Sequence, residues 1–246
     1  MIGPVINSCA TLLGGALGAT LSNGLKEKYR TRLPLTFGGA SMAMGMALIV
    51  KMNTMPAVVF SLLLGSVIGE MLDIELNIGR LAGKLRGPLD QLVPRKDGSG
   101  VSNDEFIDKF VGILVLFVAS GTGIFGSMSE GITGDPTLLI AKALLDFMTA
   151  AIFATALGMS VALIAVPQFL VQMALLFLGK SIMPLTTPLL IADFSALGGI
   201  IMFLTGFRIA GIKSFPVGNL LPGLLIVMPV SQFWNTTLLP IIQGLA

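Results

Sequence analysis

Histidine is absent from this chain, and cysteine occurs once, at Cys9. Without imidazole, and with a single thiol, no Cys/His metal site, internal disulfide or His-based catalytic triad can be built. Only rarer Ser/Lys chemistry is left for covalent catalysis, so an enzyme is not expected. Charge is equally scarce: Asp, Glu, Lys and Arg make up 11% of 246 residues, with a net charge of +2. That balance is too small to draw nucleic acid. No Walker loop and no glycine-rich dinucleotide fingerprint occurs, so any transport would be ion-coupled or passive, without an organic cofactor.

What fills the chain is apolar: 54% of residues are hydrophobic and mean hydropathy is +0.92. This composition belongs to an all-α, polytopic helical membrane protein. The apolar stretches are continuous rather than alternating, which disfavours a β-barrel. Charges and breakers divide them into about eight spans: 3–22, 34–50 opened by Pro34, 55–71 opened by Pro56, 110–129, a fifth after Pro136, 160–180 kinked at Pro167, 194–212, and 216–232 interrupted by Pro222 and Pro229. Seven would result if the last were re-entrant. The opening MIGPVINSCATLLGG lacks the basic region of a signal peptide and reads as a retained first span. Trp234 is expected at the membrane interface.

All of 1–246 is expected to form one membrane domain, with 72–107 as its cytoplasmic amphipathic helix and linker. Ile74, Ile78, Leu81, Leu85, Leu89 and Leu92 recur at helical spacing there, and Ser102 and Glu105 have capping-box spacing before the fourth span. Loops after spans 1, 3, 5 and 7 hold Lys26, Lys28, Arg30, Arg32, Arg80, Lys84, Arg86, Arg95, Lys96, Lys109 and Lys213, against Lys51 and Lys180 on the other side. Both termini are therefore expected outside. A shift of 160 residues matches Gly38 to Gly198, Gly39 to Gly199, Met42 to Met202, Ile49 to Ile209, Pro56 to Pro216 and Leu64 to Leu224. Spans 1–3 and 6–8 then read as an inverted repeat around a central pair, an arrangement common in secondary transporters. Recurrence of Gly and Pro by composition is the competing explanation.

The central pair carries the strongest functional signal. Asp135 is placed to cap the fifth helix, with Pro136 in its first turn. Lys142 and Asp146 follow one turn apart inside its apolar run. Intramembrane charges are costly and usually face a bundle interior or wet cavity; a self-satisfying ion pair is the bland alternative. Asn7, Ser120, Thr122 and Asn219 lie in small-residue or Pro-broken stretches of spans 1, 4 and 8, where exposed backbone and oxygen-bearing side chains suit Na⁺, H⁺ or a small polar solute. Ordinary interhelical hydrogen bonding would explain each as well. Glu70, at the inner end of span 3, reads either as a vestibule carboxylate or as a snorkelling interfacial residue; Asp73 and Glu75 read as solvated. Gly14-x-x-x-Gly18 and Gly65-x-x-x-Gly69 serve packing within one subunit more often than dimerisation, though they leave a homodimer open.

The opening Met-Ile-Gly with Asn7 and Gly14-Gly15, Leu64-Gly65-x-x-x-Gly69-Glu70 before Ile74-Glu75, Gly126-Ser127, Gly131, Gly134-Asp135, Lys142, Leu145-Asp146, Gly198-Gly199 and Val217-Gly218-Asn219-x-Leu221-Pro222 together carry a resemblance. Over nearly its whole length the chain resembles the YqgA/YdfK-like family of uncharacterised bacterial membrane proteins (domain of unknown function 554). The resemblance implies a bacterial inner-membrane location and a transport role, without a substrate. The expectation is a secondary transporter or channel for a small ion or solute, partnered by the lipid bilayer. Asp146 and Lys142 would be its charged centre, Asn7, Ser120, Thr122 and Asn219 neutral ligands, and Glu70 an inner carboxylate. The alternative is a non-transporting scaffold or regulator that uses the 72–107 segment as a contact surface.

Overall fold

The computed structural model describes residues 1–21, 27–84, 110, 113–114, 116–118 and 120–244. Among them every regular element is a helix and no strand occurs: α1 Ile2–Thr20, α2 Glu27–Ile49, α3 Met55–Met71, α4 Ile74–Lys84, α5 Gly121–Thr133, α6 Thr137–Leu157, α7 Ser160–Leu163, α8 Ala165–Ile182, α9 Pro188–Ile209, α10 Leu221–Phe233 and α11 Leu239–Gly244. A 3₁₀ turn over Val217–Leu220 leads into α10, and a widened π turn over Trp234–Leu238 joins it to α11. By length and composition Ile2–Thr20, Thr137–Thr155, Ser160–Leu185, Pro188–Ile209 and Val217–Gln243 can each cross a membrane, and α3 with α4, bent by 47°, makes a sixth candidate. Leu12, Leu13, Phe60, Leu63, Leu144, Leu170 and Phe177 are exposed on the outer surface, as an apolar solvent allows.

Local chemistry sets the start of α9. The Thr187 hydroxyl accepts from Leu190 N at 3.3 Å, ahead of Pro188 in the first turn of α9. Asp135 Oδ1 accepts from Thr137 N at 2.9 Å, yet the N-cap position of α6 is held by Pro136, so Asp135 stands one residue ahead of the cap expected of it. Those bonds, first from the Thr137 hydroxyl and then from its amide, hold the Asp135 carboxyl below the usual carboxylate range.

Several boundaries differ from the sequence reading. Helix α2 begins at Glu27 and contains Pro34 rather than starting there. Helix α9 begins at Pro188, so Asp193 lies inside it. The break in the sixth span falls at Ile164, because Pro167 has no N–H for the Leu163 carbonyl three residues beyond the break's start. The eighth span does not stop at 232 but continues through Trp234. Most consequentially, 110–129 is not one helix. Ser120 is extended (φ −70°, ψ 134°) and its hydroxyl accepts from Gly123 N, so it caps a new helix, α5. Residues 85–107, including most of the expected amphipathic segment and the Ser102/Glu105 pair, lie outside the described residues.

Close backbone approach determines which helices are neighbours. A Cβ on Gly14 would lie 2.2 Å from the Phe147 carbonyl oxygen, and one on Gly18 2.0 Å from that of Ala151. Both partners advance by four residues, so α1 runs parallel to α6 inside one subunit. Likewise α2 crosses α9 antiparallel through Gly38 on Gly206 (2.5 Å) and Gly45 on Gly199 (2.5 Å), and α3 crosses α10 through Gly65 on Gly223 (2.3 Å) and Gly69 on Asn219 (2.0 Å). Helix α5 lies along α8, where Gly179 meets the Met128 carbonyl oxygen at 2.4 Å. Small residues are what permit such contacts between membrane helices.

Gly18→Val should therefore cost about 1–3 kcal/mol or more by overpacking, read as a lower melting temperature of the detergent-solubilised protein. Gly39→Ala, whose Cβ would meet nothing within 4 Å, should melt with the parent.

Candidate functional site

Helix α6 starts at Thr137, so Lys142 and Asp146 lie roughly 8 and 14 Å along its axis at 1.5 Å per residue. Asp146 is therefore close to halfway along a helix about 32 Å long. Lys142 is 3% exposed and Asp146 8%. Lys142 Nζ donates to Asp146 Oδ2 and stands 5.8 Å from the centre of the Phe117 ring. Two neighbouring helices complete the carboxylate's surroundings. Gln168 Nε2, from α8, donates to the same Oδ2 at 2.7 Å. Gln168 Oε1 in turn accepts from the Thr11 hydroxyl of α1 at 2.8 Å, and that hydroxyl also reaches the Asn7 carbonyl oxygen at 3.2 Å.

The start of α5 comes up against this chain of bonds. Thirteen residues separate Ser120 from the end of α5, about 20 Å of helix, so the break is deep in the bundle. Ser120, Thr122, Lys142, Asp146 and Thr149 line one cavity, walled by Phe37, Leu116, Phe117 and Ile209. Its volume is about 20 Å³, room for one water-sized occupant.

Of the residues singled out from sequence, four meet at this cavity: Lys142, Asp146, Ser120 and Thr122. Asn7 is fully buried and touches the chain of bonds through its carbonyl only. The other two are elsewhere. Asn219 Oδ1 accepts from Glu75 N at 2.7 Å, so it caps α4 instead of joining Asp146 in one pocket. Glu70 is exposed at the end of α3. Glu75, read as solvated, is half-buried: it pairs with Arg208 and accepts from Gly218 N at 2.8 Å. Asp73 is exposed, as expected.

Sequence reasoning missed three kinds of residue. Gln168 and Gln172, spaced i, i+4 in an otherwise uncharged span, were visible as a polar stripe. Glu130 falls just past the end assigned to the fourth span, at 129, yet it is 3% exposed, accepts from Gly3 N at 3.2 Å and pairs with the Met1 amine at 2.7 Å. Asp193 was hidden by the late start assigned to its helix. It is fully buried, and accepts from the amides of Asn53 (2.9 Å) and Thr54 (2.7 Å) and from the Ser231 hydroxyl.

A pattern separates these carboxylates. Asp193 accepts from amides at the start of α3, Glu75 from one at the turn before α10, and Glu130 from one at the start of α1. Each thereby satisfies helix-terminal donors and favours the positive end of a helix dipole. Asp146 differs: its hydrogen bonds come from side chains, Lys142 and Gln168. Side-chain donors can be exchanged without moving the backbone. Among the described residues no cluster of acidic, Cys or His side chains suited to a metal ion occurs.

The family model described as "Protein of unknown function (DUF554)" matches residues 2–232, and the chain belongs to that family. It is 48% identical over 235 residues to the uncharacterized protein YqgA of Escherichia coli (strain K12), covering 96% of this chain and 98% of that one. It is 26% identical over 230 residues to the uncharacterized membrane protein YdfK of Bacillus subtilis (strain 168), covering 92% and 93%. No solved structure matches.

Removing one partner of a buried pair strands the other charge. Lys142→Met should cost about 3–5 kcal/mol, and Lys142→Met with Asp146→Asn clearly less than that single change. Thermal unfolding of the purified variants reads the difference. Additive losses would show that the two side chains do not act as a pair.

Proposed function

We propose that this member of the DUF554 family moves a small ion across the membrane, as a secondary transporter or channel and not as an enzyme, with Asp146 and Lys142 at its centre. The observation that carries this reading is a buried carboxylate held by side chains alone, beside a helix broken inside the bundle. Irregular backbone at membrane depth is tolerated where protein or a water-filled cavity surrounds it, and broken helices of this kind form the ion and substrate sites of secondary transporters. The size of the cavity favours an ion over an organic solute.

Eight crossings organised as inverted halves fit the packing. Helices α2 and α9 pair through Gly38–Gly206 and Gly45–Gly199; a two-fold exchange of the helices turns one contact into the other, one residue off the shift of 160. Glu75 and Asn235, 160 residues apart, each follow the third helix of a half and reach the start of the other third helix, at Gly218 N (2.8 Å) and the Thr54 hydroxyl (2.9 Å). With the excess of Lys and Arg in alternate loops, this supports both termini outside in a bacterial inner membrane.

Reconstituted into liposomes, the protein should pass protons or a small ion, followed with pH- and ion-sensitive dyes. Asp146→Asn should cut that flux about tenfold or more, and Gly39→Ala should leave it unchanged. Undiminished flux in Asp146→Asn sinks the assignment.

A further inference from the structure

Buried polar atoms without a partner surround the start of α5. Thr122, 3% exposed, has an unpartnered hydroxyl, and Gln172, 1% exposed, has neither amide atom bonded. Gln172 points at the break: a Cβ built on Gly123 would lie 3.4 Å from Gln172 Nε2, 3.4 Å from Ser120 Oγ and 2.9 Å from Lys142 Cε. Asn7, also fully buried with both amide atoms unbonded, belongs to the same level. Helices α1 and α8 run antiparallel with Thr11 on Gln168, so one turn further Asn7 comes opposite Gln172.

The sign of this region is positive. Helix α5 has its first internal bond from Ile124 N to Ser120 O, and the Ser120 hydroxyl takes Gly123 N. The amides of Gly121 and Thr122 precede that bond and point out of the helix end. They add about half a positive charge of dipole to the Lys142 ammonium, the Thr122 hydroxyl and the Gln172 amide. Helix starts that meet a cation and hydroxyls in this way are anion sites.

We propose that the transported ion is a small monovalent anion, a halide in the simplest case, held between Lys142, the first amides of α5 and the Thr122 hydroxyl, and admitted when Asp146 takes up a proton. This rests on the transport reading above and names the substrate class of the same site. While Asp146 is ionised it neutralises Lys142, and a third, negative charge is repelled. Once the carboxylate binds a proton the pair carries +1, and one anion restores neutrality. Gln168 can hold the protonated carboxyl through the amide oxygen it now offers to Thr11. Proton and anion then move together, one for one.

No other described charge competes at Asp146. Helix α1 has no charged side chain; Glu130 of α5 is held by Gly3 N and the Met1 amine. Lys180 of α8 and Lys28 and Arg32 of α2 are exposed. On α9, Asp193 and Arg208 have the partners already described.

Binding is measured on the purified full chain in detergent, at constant ionic strength, by thermal stabilisation in chloride or fluoride against gluconate. The parent should be stabilised by halide, with the apparent affinity rising about tenfold per unit of acidification while Asp146 is mostly ionised. Asp146→Asn should bind halide with no pH dependence, and Lys142→Met not at all. Thr122→Val, which keeps the side-chain shape, should weaken binding about tenfold and covers the case in which the charge variants fail to fold. Melting that is the same in halide and gluconate across this pH range overturns the proposal, as does halide stabilisation that Thr122→Val and Lys142→Met leave intact. Flux that follows sodium and ignores the anion defeats this inference and leaves the transport reading standing. Halide binding without any flux does the reverse.

Discussion

The attraction between Lys142 and Asp146 is the interaction on which the arrangement of the bundle interior depends. Each charge alone would be prohibitively costly among apolar helices, and together they remain so unless the leftover valences are filled. Gln168 supplies one such bond and Thr11 fixes Gln168. Three helices, α1 at the start of the chain and α6 and α8 more than a hundred residues on, are thereby held in one register. The same requirement explains why α1 approaches α6 so closely: only the missing side chains of Gly14 and Gly18 let the Thr11 hydroxyl come within reach of a partner that α6 keeps in place.

Charge elsewhere in the molecule is used differently. Asp193, Glu75 and Glu130 each bind backbone amides where another helix begins, so they join elements that no covalent turn connects. Those bonds satisfy helix-terminal donors together with the carboxylate oxygens that accept them. Around the start of α5 the opposite holds. Polar groups there outnumber their partners, although unpaired buried amides are expensive. Among the described residues most of the buried side-chain atoms without a partner, those of Asn7, Thr122 and Gln172, gather at that interior point. The break at Ser120 is what makes this possible, since a continuous helix would consume its own amides.

Much of the fold was legible in the sequence because long uncharged runs and proline or glycine punctuation are local signals. The spans of α1 and α3 and the intrasubunit use of Gly14-x-x-x-Gly18 follow from neighbouring residues. Boundaries failed where a proline was tolerated inside a helix, as at Pro34, or where a charge was taken as the end of a span, as at Asp193. The site was half legible. Lys142 and Asp146 lie on one helix face at a spacing any sequence shows, but 110–129 reads as one uninterrupted apolar span and gave no warning of the break at Ser120. Gln168 and Gln172 carried a signal, an i, i+4 polar pair in an apolar run, that a search for charges passed over.

By itself the sequence determined the class of molecule, its apolar crossings and the existence of a costly ion pair within one of them, since composition and helical periodicity act over a few turns. Only the tertiary structure decided what the pair faces. It brought the Gln168 amide and the broken start of α5 to Asp146, and it sent Asn219 to cap α4 instead. The reason is physical: which polar groups meet depends on how closely helices from opposite ends of the chain can approach, and that distance is set by facing glycines whose register no local pattern records.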